Sequence, residues 1–399
     1  MSFELPDLAA SPNALARHYS RFRVDQRVLL SGHSHQAWPD VALEGQIEAF
    51  EDAALHVDDK WARAFARAER VREGYRSLLG DPGGAIALGP ATHDLLVKLL
   101  SALPWRVKRR ILTTEGEFHA LRRQLAALEH EGCEVVRESV GEVDTLAERL
   151  AARTDDRTLA VFVSAVLFET ARIVPGLDRL AARCERLGVP LVVDAYHALN
   201  VLPFELSRQG LAGAFVTGGG YKYLQLGEGN AFLRLPPWFD GHPALTGWFA
   251  EFDALAAPKT PRDLLWGPPA SRFAGATYDP TCHYRAAKVL DFFAEGGLTA
   301  EFLSGVYRHQ VGRLARGFDA LGLNDRDVTR ERATPLERIG GFLALESPRA
   351  DELRRELNRR GVFCDHRGTR LRLGPAPYLS DAQLDSALDT LAGIVRPAR

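Results

Sequence analysis

What this 399-residue chain lacks narrows its function before any motif is read. It has no excess of basic charge: 50 Lys and Arg against 52 Asp and Glu leave a formal net charge of -2. A nucleic-acid binder ordinarily carries a basic surplus, so that class is not expected. Long apolar runs are also missing. The longest, from Leu159 to Phe168, is about half a membrane span and reads as a buried strand, so no membrane partner is expected. The opening Met1-Ser2-Phe3-Glu4-Leu5-Pro6 has no basic segment followed by an apolar one, so no secretory leader is expected. Cysteine is scarce and scattered: Cys133, Cys184, Cys282 and Cys364 form no CxxC pair. That pattern suits a reduced, cytoplasmic compartment and excludes a clustered zinc site. Lysine is the rarest charged residue, present only at 60, 98, 108, 222, 259 and 288, while every other basic residue is arginine. In so arginine-biased a chain, a lysine in a special setting stands out.

What is present is ordinary globular composition, enough for one large domain and a smaller one. Residues 1–40 read as irregular, with Pro6, Pro12, Pro39 and the polar loop Gly32-His33-Ser34-His35-Gln36. Residues 41–80 read as helical, with no proline to interrupt them. A turn at 81–84 and a short strand at 86–88 lead to Pro90-Ala91-Thr92-His93-Asp94, which opens a helix running to 103. Strands then alternate with helices: strands at 110–114, 134–140, 159–166 and 190–193, helices at 118–131, 143–152 and 176–187. Such alternation predicts an α/β fold with a mostly parallel sheet covered by helices on both faces. Ligands in such sheets sit at the carboxyl ends of the strands. Pro258 and Pro261 mark a linker. Beyond it, helices at 283–295, 302–321 and 350–360 and strands at 342–346, 362–365 and 371–373 predict a smaller α+β C-terminal domain. The expected division is an N-terminal segment at 1–40 that contributes to the active site, a large domain at 41–258 and a small domain at 259–399.

Two stretches carry chemistry. In Pro190-Leu-Val-Val-Asp-Ala-Tyr-His197 an apolar strand ends in Asp194, with His197 three residues on. A carboxylate at a strand's carboxyl end faces a ligand crevice, although an Asp there also reads as a helix N-cap. In Gly218-Gly219-Gly220-Tyr221-Lys222-Tyr223 the glycines permit a tight turn and close approach, and the tyrosines flank the amine. A held, partly desolvated lysine has a depressed pKa and forms Schiff bases readily. An Asp at a strand end with such a lysine after a later strand fits pyridoxal 5'-phosphate (PLP). The Asp keeps the ring nitrogen protonated, so the ring becomes an electron sink, and the lysine holds the aldehyde.

These motifs resemble those of the class V, fold-type I PLP enzymes, and within them kynureninase. The resemblance runs from about residue 32 to 378. The family's Asp-x-x-His is matched by Asp194 and His197, and its Tyr-Lys-Tyr by Tyr221, Lys222 and Tyr223. The resemblance implies a fold-type I architecture with PLP on Lys222. Ala91 and Thr92 would receive the phosphate, Phe118 would stack on the pyridine, and Ser164 would lie beside the cofactor. Trp248 and Thr277 match residues that reach the phosphate of a neighbouring subunit's cofactor, which implies a homodimer with active sites at the subunit interface. Arg372, with Arg370 a rival by spacing, would grip the substrate α-carboxylate, and Ser34 would lie near the substrate side chain. The implied reaction is hydrolysis of the Cβ–Cγ bond of L-kynurenine or a related amino acid, giving an anthranilate-type acid and L-alanine. Lys222 would remove the Cα proton, Asp194 would hold the ring nitrogen, and Tyr221 would relay a proton. The alternative is another class V activity: a Cβ–S lyase, a desulfurase or an aminotransferase. The chain departs from the family mainly on the substrate side. Gly32-His33-Ser34-His35-Gln36 replaces Gly-Asn-Ser-Leu-Gly, Phe118-His119-Ala120-Leu121 replaces Phe-Pro-x-Asp, and His33, His35, His93 and His119 could line an altered pocket. Cys364 sits in an apolar strand and reads as a buried small hydrophobe, not as a desulfurase nucleophile.

Overall fold

The computed structural model describes residues 3–396; residues 1–2 and 397–399, the ends of the two outer segments, lie outside the described residues. Seven strands form the central sheet, in the order Ala85–Gly89, Ala231–Leu235, Phe215–Gly219, Leu191–Asp194, Thr158–Ser164, Arg110–Thr114, Glu134–Glu138. The pairings 110/134, 110/158, 158/191 and 191/215 are parallel, and only Ala231–Leu235 runs against the rest. The strands are apolar because both faces are covered. Alternate residues enter two separate cores: Val161, Val163, Val193 and Val216 face one, while Ala160, Phe162, Val192 and Phe215 face the other. That is the pattern of a sheet buried by helices on both sides.

Covering helices are set by local signals. Leu177–Leu187 ends at Gly188, whose left-handed conformation (φ 62°) lets its N–H reach the Cys184 and Glu185 carbonyls. The expected helix over 41–80 is in fact two, Val41–His56 and Lys60–Leu79. They are broken at Val57, which adopts φ 50°, an unfavourable conformation for a β-branched residue. The break lets the first helix cross Thr281–Glu295 at close range, with Gly45 against the Tyr284 backbone.

The C-terminal part holds an antiparallel three-stranded sheet in the order Asp365–Arg367, Arg370–Leu373, Leu343–Glu346. Helices Ala300–Ala320, Ala350–Arg359 and Asp381–Val395 accompany it. The last begins with a capping box between Ser380 and Gln383. The N-terminal segment is built into this part, since Val28–Leu29 pairs in parallel with Val362–Phe363. Strands Phe215–Gly219 and Ala231–Leu235 and helix Asp381–Val395 lie where the sequence patterns gave no element. Among the described residues no helix is long and apolar enough to cross a membrane.

Gly45 and Gly305 give paired predictions. A Cβ at Gly45 would lie 2.6 Å from the Tyr284 carbonyl oxygen, whereas one at Gly305, in helix Ala300–Ala320, meets nothing within 4 Å. Replacing a helical glycine by alanine gains up to about 1 kcal/mol, but forcing atoms into packed backbone costs about 1–3 kcal/mol. Gly45→Ala is therefore expected to lower the urea midpoint and Gly305→Ala to raise it, both with unchanged slope. Equal shifts in the two variants would contradict the packing described.

Candidate active site

The sheet order brings separated segments to one edge. At the carboxyl ends of five strands lie the residues after Gly89, Thr114, Ser164, Asp194 and Gly219. Because Ala231–Leu235 is reversed, the residues before it, 228–230, reach the same edge. Together they enclose a cavity of about 220 Å³. Its lining includes Ala91, Thr92, Phe118, Ser164, Asp194, His197, Tyr221 and Lys222. Eight residues singled out from sequence alone thus meet in one place.

Lys222 is at the centre. It is 6% exposed, and its Nζ lies 2.7 Å from His197 Nε2. Three aromatic rings surround the amine, with centroids at 4.7 Å (Tyr196), 5.3 Å (Phe118) and 5.8 Å (Tyr221). Burial disfavours the ammonium and brings its pKa down to about 7, opposed by the Asp194 charge and assisted by Arg372. His197 is buried too, which holds its pKa well below the usual value, so the ring is neutral where its Nε2 meets the lysine amine. The other ring nitrogen faces the Tyr223 hydroxyl at 3.4 Å. Burial also raises the Asp194 carboxyl, whose Oδ1 accepts the Tyr196 amide at 2.8 Å.

The glycine run works by close approach, not by left-handed turns. None of Gly218, Gly219 and Gly220 has positive φ. A Cβ at Gly219 would collide with the Tyr196 hydroxyl, and one at Gly220 would strike the Leu226 side chain. Gly219 therefore clears the space that seats Tyr196 beside Lys222. The loop after Lys222 is held by a buried chain of side chains. Tyr19 donates to Gln225, Gln225 to Gln36, and Gln36 to Tyr307, at 2.5, 2.8 and 2.8 Å. Gln225 itself is at φ 59°.

Thr92 is the first residue of helix Thr92–Ala102. Its Oγ1 is buried in the cavity wall with no hydrogen-bond partner. An orphaned donor at a helix N-terminus is poised for an anion. On the opposite wall, the Ser164 hydroxyl and amide bond Glu117 at 2.7 and 3.1 Å, and Thr114 Oγ1 bonds it at 2.7 Å. Burial pushes Glu117 up to about 7; its hydrogen bonds pull it down and the Asp194 charge pushes it further up. Sequence reasoning missed Glu117, Tyr196, Phe168 and Asn230. Glu117, next to Phe118, had the clearest available signal, as a carboxylate just after a buried strand.

Four expected residues lie apart from the cavity lining. Ser34 bonds its neighbour His35 at 3.2 Å. Trp248 is 44% exposed and packs edge-to-face on Phe249 and tilted on Phe252. Thr277 is exposed. Arg372 is 3% exposed, and its donors are taken by Asp365 and the Phe168 carbonyl. Arg370, its rival by spacing, pairs with Glu169 and Glu346. Of the loop histidines, His93 lines the cavity, His33 is buried against Asp365, and His35 stacks on Tyr221. Burial raises the pKa of all four thiols, that of Cys282 to about 11 and those of Cys184 and Cys364 to about 12. Among the described residues no cluster of His, Cys, Asp and Glu could hold a metal ion.

No family model matches the chain. An uncharacterized aminotransferase of Bacillus subtilis, YcbU, is 24% identical over 348 residues, covering 87% of this chain and 89% of its own. An IscS-like cysteine desulfurase of Mycobacterium tuberculosis is 33% identical over 178 residues, 42% of this chain and 44% of its own length. The apo cysteine desulfurase of Thermococcus onnurineus NA1 superposes with a TM-score of 0.80 at 16% identity, over 96% of this chain and 98% of that one. The cystine C–S lyase C-DES, in complex with cysteine persulfide, superposes with a TM-score of 0.80 at 17% identity, over 92% and 98%.

The depressed Lys222 amine is directly testable. Its ordinary value is 10.5, so an unfolded chain binds more protons than the folded one between about pH 7 and 10.5. This lysine's contribution to stability therefore rises with pH across that window. Reductive methylation with ¹³C-formaldehyde should give one methyl resonance titrating near pH 7, absent from Lys222→Ala. Titration of every resonance near pH 10 would contradict the geometry. The likenesses to solved structures and the central sheet together show the fold: this chain has the mostly parallel, fold-type I α/β architecture of the Thermococcus cysteine desulfurase and of C-DES.

Proposed function

We propose that the chain is a PLP-dependent enzyme of the class V type, acting at the Cα–H bond of an amino acid that carries a Cβ–S bond. One observation carries the cofactor: a buried amine of depressed pKa, a strand-end carboxylate and an orphaned hydroxyl at a helix N-terminus face one cavity. These groups fit the aldehyde, the ring nitrogen and the phosphate of PLP. When bound, PLP supplies an electron sink for the negative charge that develops at Cα.

The protein's own residues do the rest. Thr92 and the first amides of its helix would hold the phosphate. Phe118 would pack on the ring, and Phe118 itself is held edge-to-face by Phe168 at 5.3 Å. Asp194 balances a protonated ring nitrogen, which in turn relieves the cost of its own burial. Lys222, neutral near pH 7, accepts the Cα proton and can return it. His197 keeps that amine oriented, and Tyr221, whose ring lies 5.8 Å from the amine in the cavity wall, would relay a proton to the leaving group.

The reaction assignment follows from the relatives and from the thiols. One relative is named an aminotransferase and another a cysteine desulfurase, and one structural neighbour is a cystine C–S lyase. Desulfuration through a protein thiolate requires a low thiol pKa, and burial drives all four thiols the other way. That favours β-elimination, in which the sulfur leaves with its own substituent. Transamination, the reading the Bacillus relative favours, is the second. A homodimer fits the exposed apolar residues Leu43, Ile47 and Phe50 on helix Val41–His56 and the exposed Trp248 and Thr277.

With PLP and L-cystine the enzyme is expected to release pyruvate, ammonia and sulfane sulfur in equal amounts, with none from Lys222→Ala. Anthranilate and alanine from L-kynurenine would instead establish hydrolysis. A keto acid with the pyridoxamine form retained would establish transamination. Thr92→Val should weaken PLP binding by about tenfold, the loss of about one good hydrogen bond, and leave phosphate-free pyridoxal unaffected. Sedimentation equilibrium should give twice 44.0 kDa; a 44.0 kDa particle would contradict the dimer.

A further inference from the structure

Tyr196 lines the cavity and has no role in the reaction as proposed, although its ring stands nearest the reacting amine. Lys222 Nζ lies over the Tyr196 ring at 4.7 Å from the centroid, over Phe118 at 5.3 Å and over Tyr221 at 5.8 Å. A cation within about 6 Å of a ring face is attracted by the negative charge of the π system, more strongly once water is excluded. Among the described residues the other lysine over a ring is Lys60, on Trp61 alone at 5.8 Å.

Each of the three rings is braced from behind. Phe168 holds Phe118 edge-to-face at 5.3 Å, and His35 stacks on Tyr221 at 4.8 Å. Tyr196 packs against Tyr221 at 5.0 Å, and its amide donates to Asp194 Oδ1 at 2.8 Å. The hydroxyl end of Tyr196 fits because residue 219 has no Cβ: one there would collide with Tyr196 Oη, Cζ and Cε2. Strand register explains the meeting. Asp194 pairs with Thr217 in parallel strands, so Tyr196 and Gly219, each two residues further on, come together.

Burial raises both Tyr196 and Tyr221 above the ordinary phenol value of 10.0, so both stay neutral while the amine titrates. They therefore act on the amine through their ring faces and not as phenolates. Among the charged groups around it, Asp194 and Asp365 favour the ammonium and Arg372 and Arg367 oppose it, while His197 is neutral. Glu117 lies behind Ser164, and Glu228 lines the cavity beside His35.

We infer that Tyr196 is a catalytic residue: with Phe118 and Tyr221 it forms a preorganised aromatic cage that stabilises the positive charge Lys222 acquires on taking the Cα proton. In that step the Cα–H bond breaks, its electron pair stays at carbon, and the proton bonds to Nζ, which becomes an ammonium. Acquiring a charge in a buried pocket is costly, and the ring faces replace part of the stabilisation that water would give. The catalytic role rests on the PLP reading above. The attraction itself does not, because amine and rings all belong to this chain.

Two titrations of the full-length protein test the cage. One follows the ¹³C-methyl resonance of Lys222 in the cofactor-free protein, the other the visible band of the PLP-loaded protein. Trifluorophenylalanine at position 196 keeps the ring's shape and drains its face of negative charge. It should lower both midpoints by about half a pH unit or more, roughly a threefold loss of proton affinity. Tyr196→Leu should lower them likewise, and Tyr196→Phe should leave them in place. Gly219→Ala, which displaces the ring, should lower them too, with no further drop when Tyr196→Leu is added. A ring that merely excluded water would give the opposite sign, since admitting water to the amine raises its pKa. A midpoint unchanged or raised in either titration of the trifluorophenylalanine protein overturns the inference. So does a drop in Tyr196→Phe as large as that in Tyr196→Leu. Should Tyr196→Leu or Gly219→Ala fail to fold, the trifluorophenylalanine protein decides. A protein that forms no Lys222-dependent visible band fails the cofactor reading and the proton transfer with it, while the cofactor-free titration still decides the cage.

Discussion

The arrangement depends on removing one amine from water. Lys222 is buried between three aromatic rings, and its 2.7 Å contact with a neutral His197 replaces part of the hydration it loses. Burying an ammonium is costly, and the chain meets that cost by making deprotonation easy. The same burial raises Asp194, so the two groups share one low-dielectric pocket with opposite protonation tendencies. Such paired perturbations in a cleft are characteristic of sites built for proton transfer.

Holding that amine in place recruits distant parts of the chain. Gly219 admits Tyr196 beside it. The Tyr19–Gln225–Gln36–Tyr307 chain ties the loop after Lys222 to the N-terminal segment and to helix Ala300–Ala320. His33, Asp365, Arg372 and the Phe168 carbonyl form a second tie, from the N-terminal loop through the small sheet to the cavity wall. The N-terminal segment, expected to be irregular, instead carries the helix Leu5–Ala9 and the strand Val28–Leu29, and among the described residues it braces the site although it supplies none of its lining.

The parallel part of the fold was legible in the sequence because each strand there is a bounded apolar run followed by an amphipathic helix. Phe215–Gly219 was not, because its glycines read as a loop, although here they serve close packing inside a buried strand. Ala231–Leu235 was hidden because it returns antiparallel without a helix between. In the site, Asp194, His197 and Lys222 were legible because strand ends and flanking aromatics mark them locally. Glu117, Tyr196 and Asp365 were not, since their meaning lies in partners far away in sequence: Ser164, Gly219 and His33.

The central claim is that Lys222 is the amine that takes the cofactor aldehyde. Borohydride reduction of the protein incubated with PLP, followed by peptide mass mapping, tests it most directly. The account predicts one pyridoxyl-phosphate adduct, on the peptide carrying Lys222, and none on Lys60, Lys98, Lys108, Lys259 or Lys288. An adduct spread over those other lysines with Lys222 unmodified would contradict it.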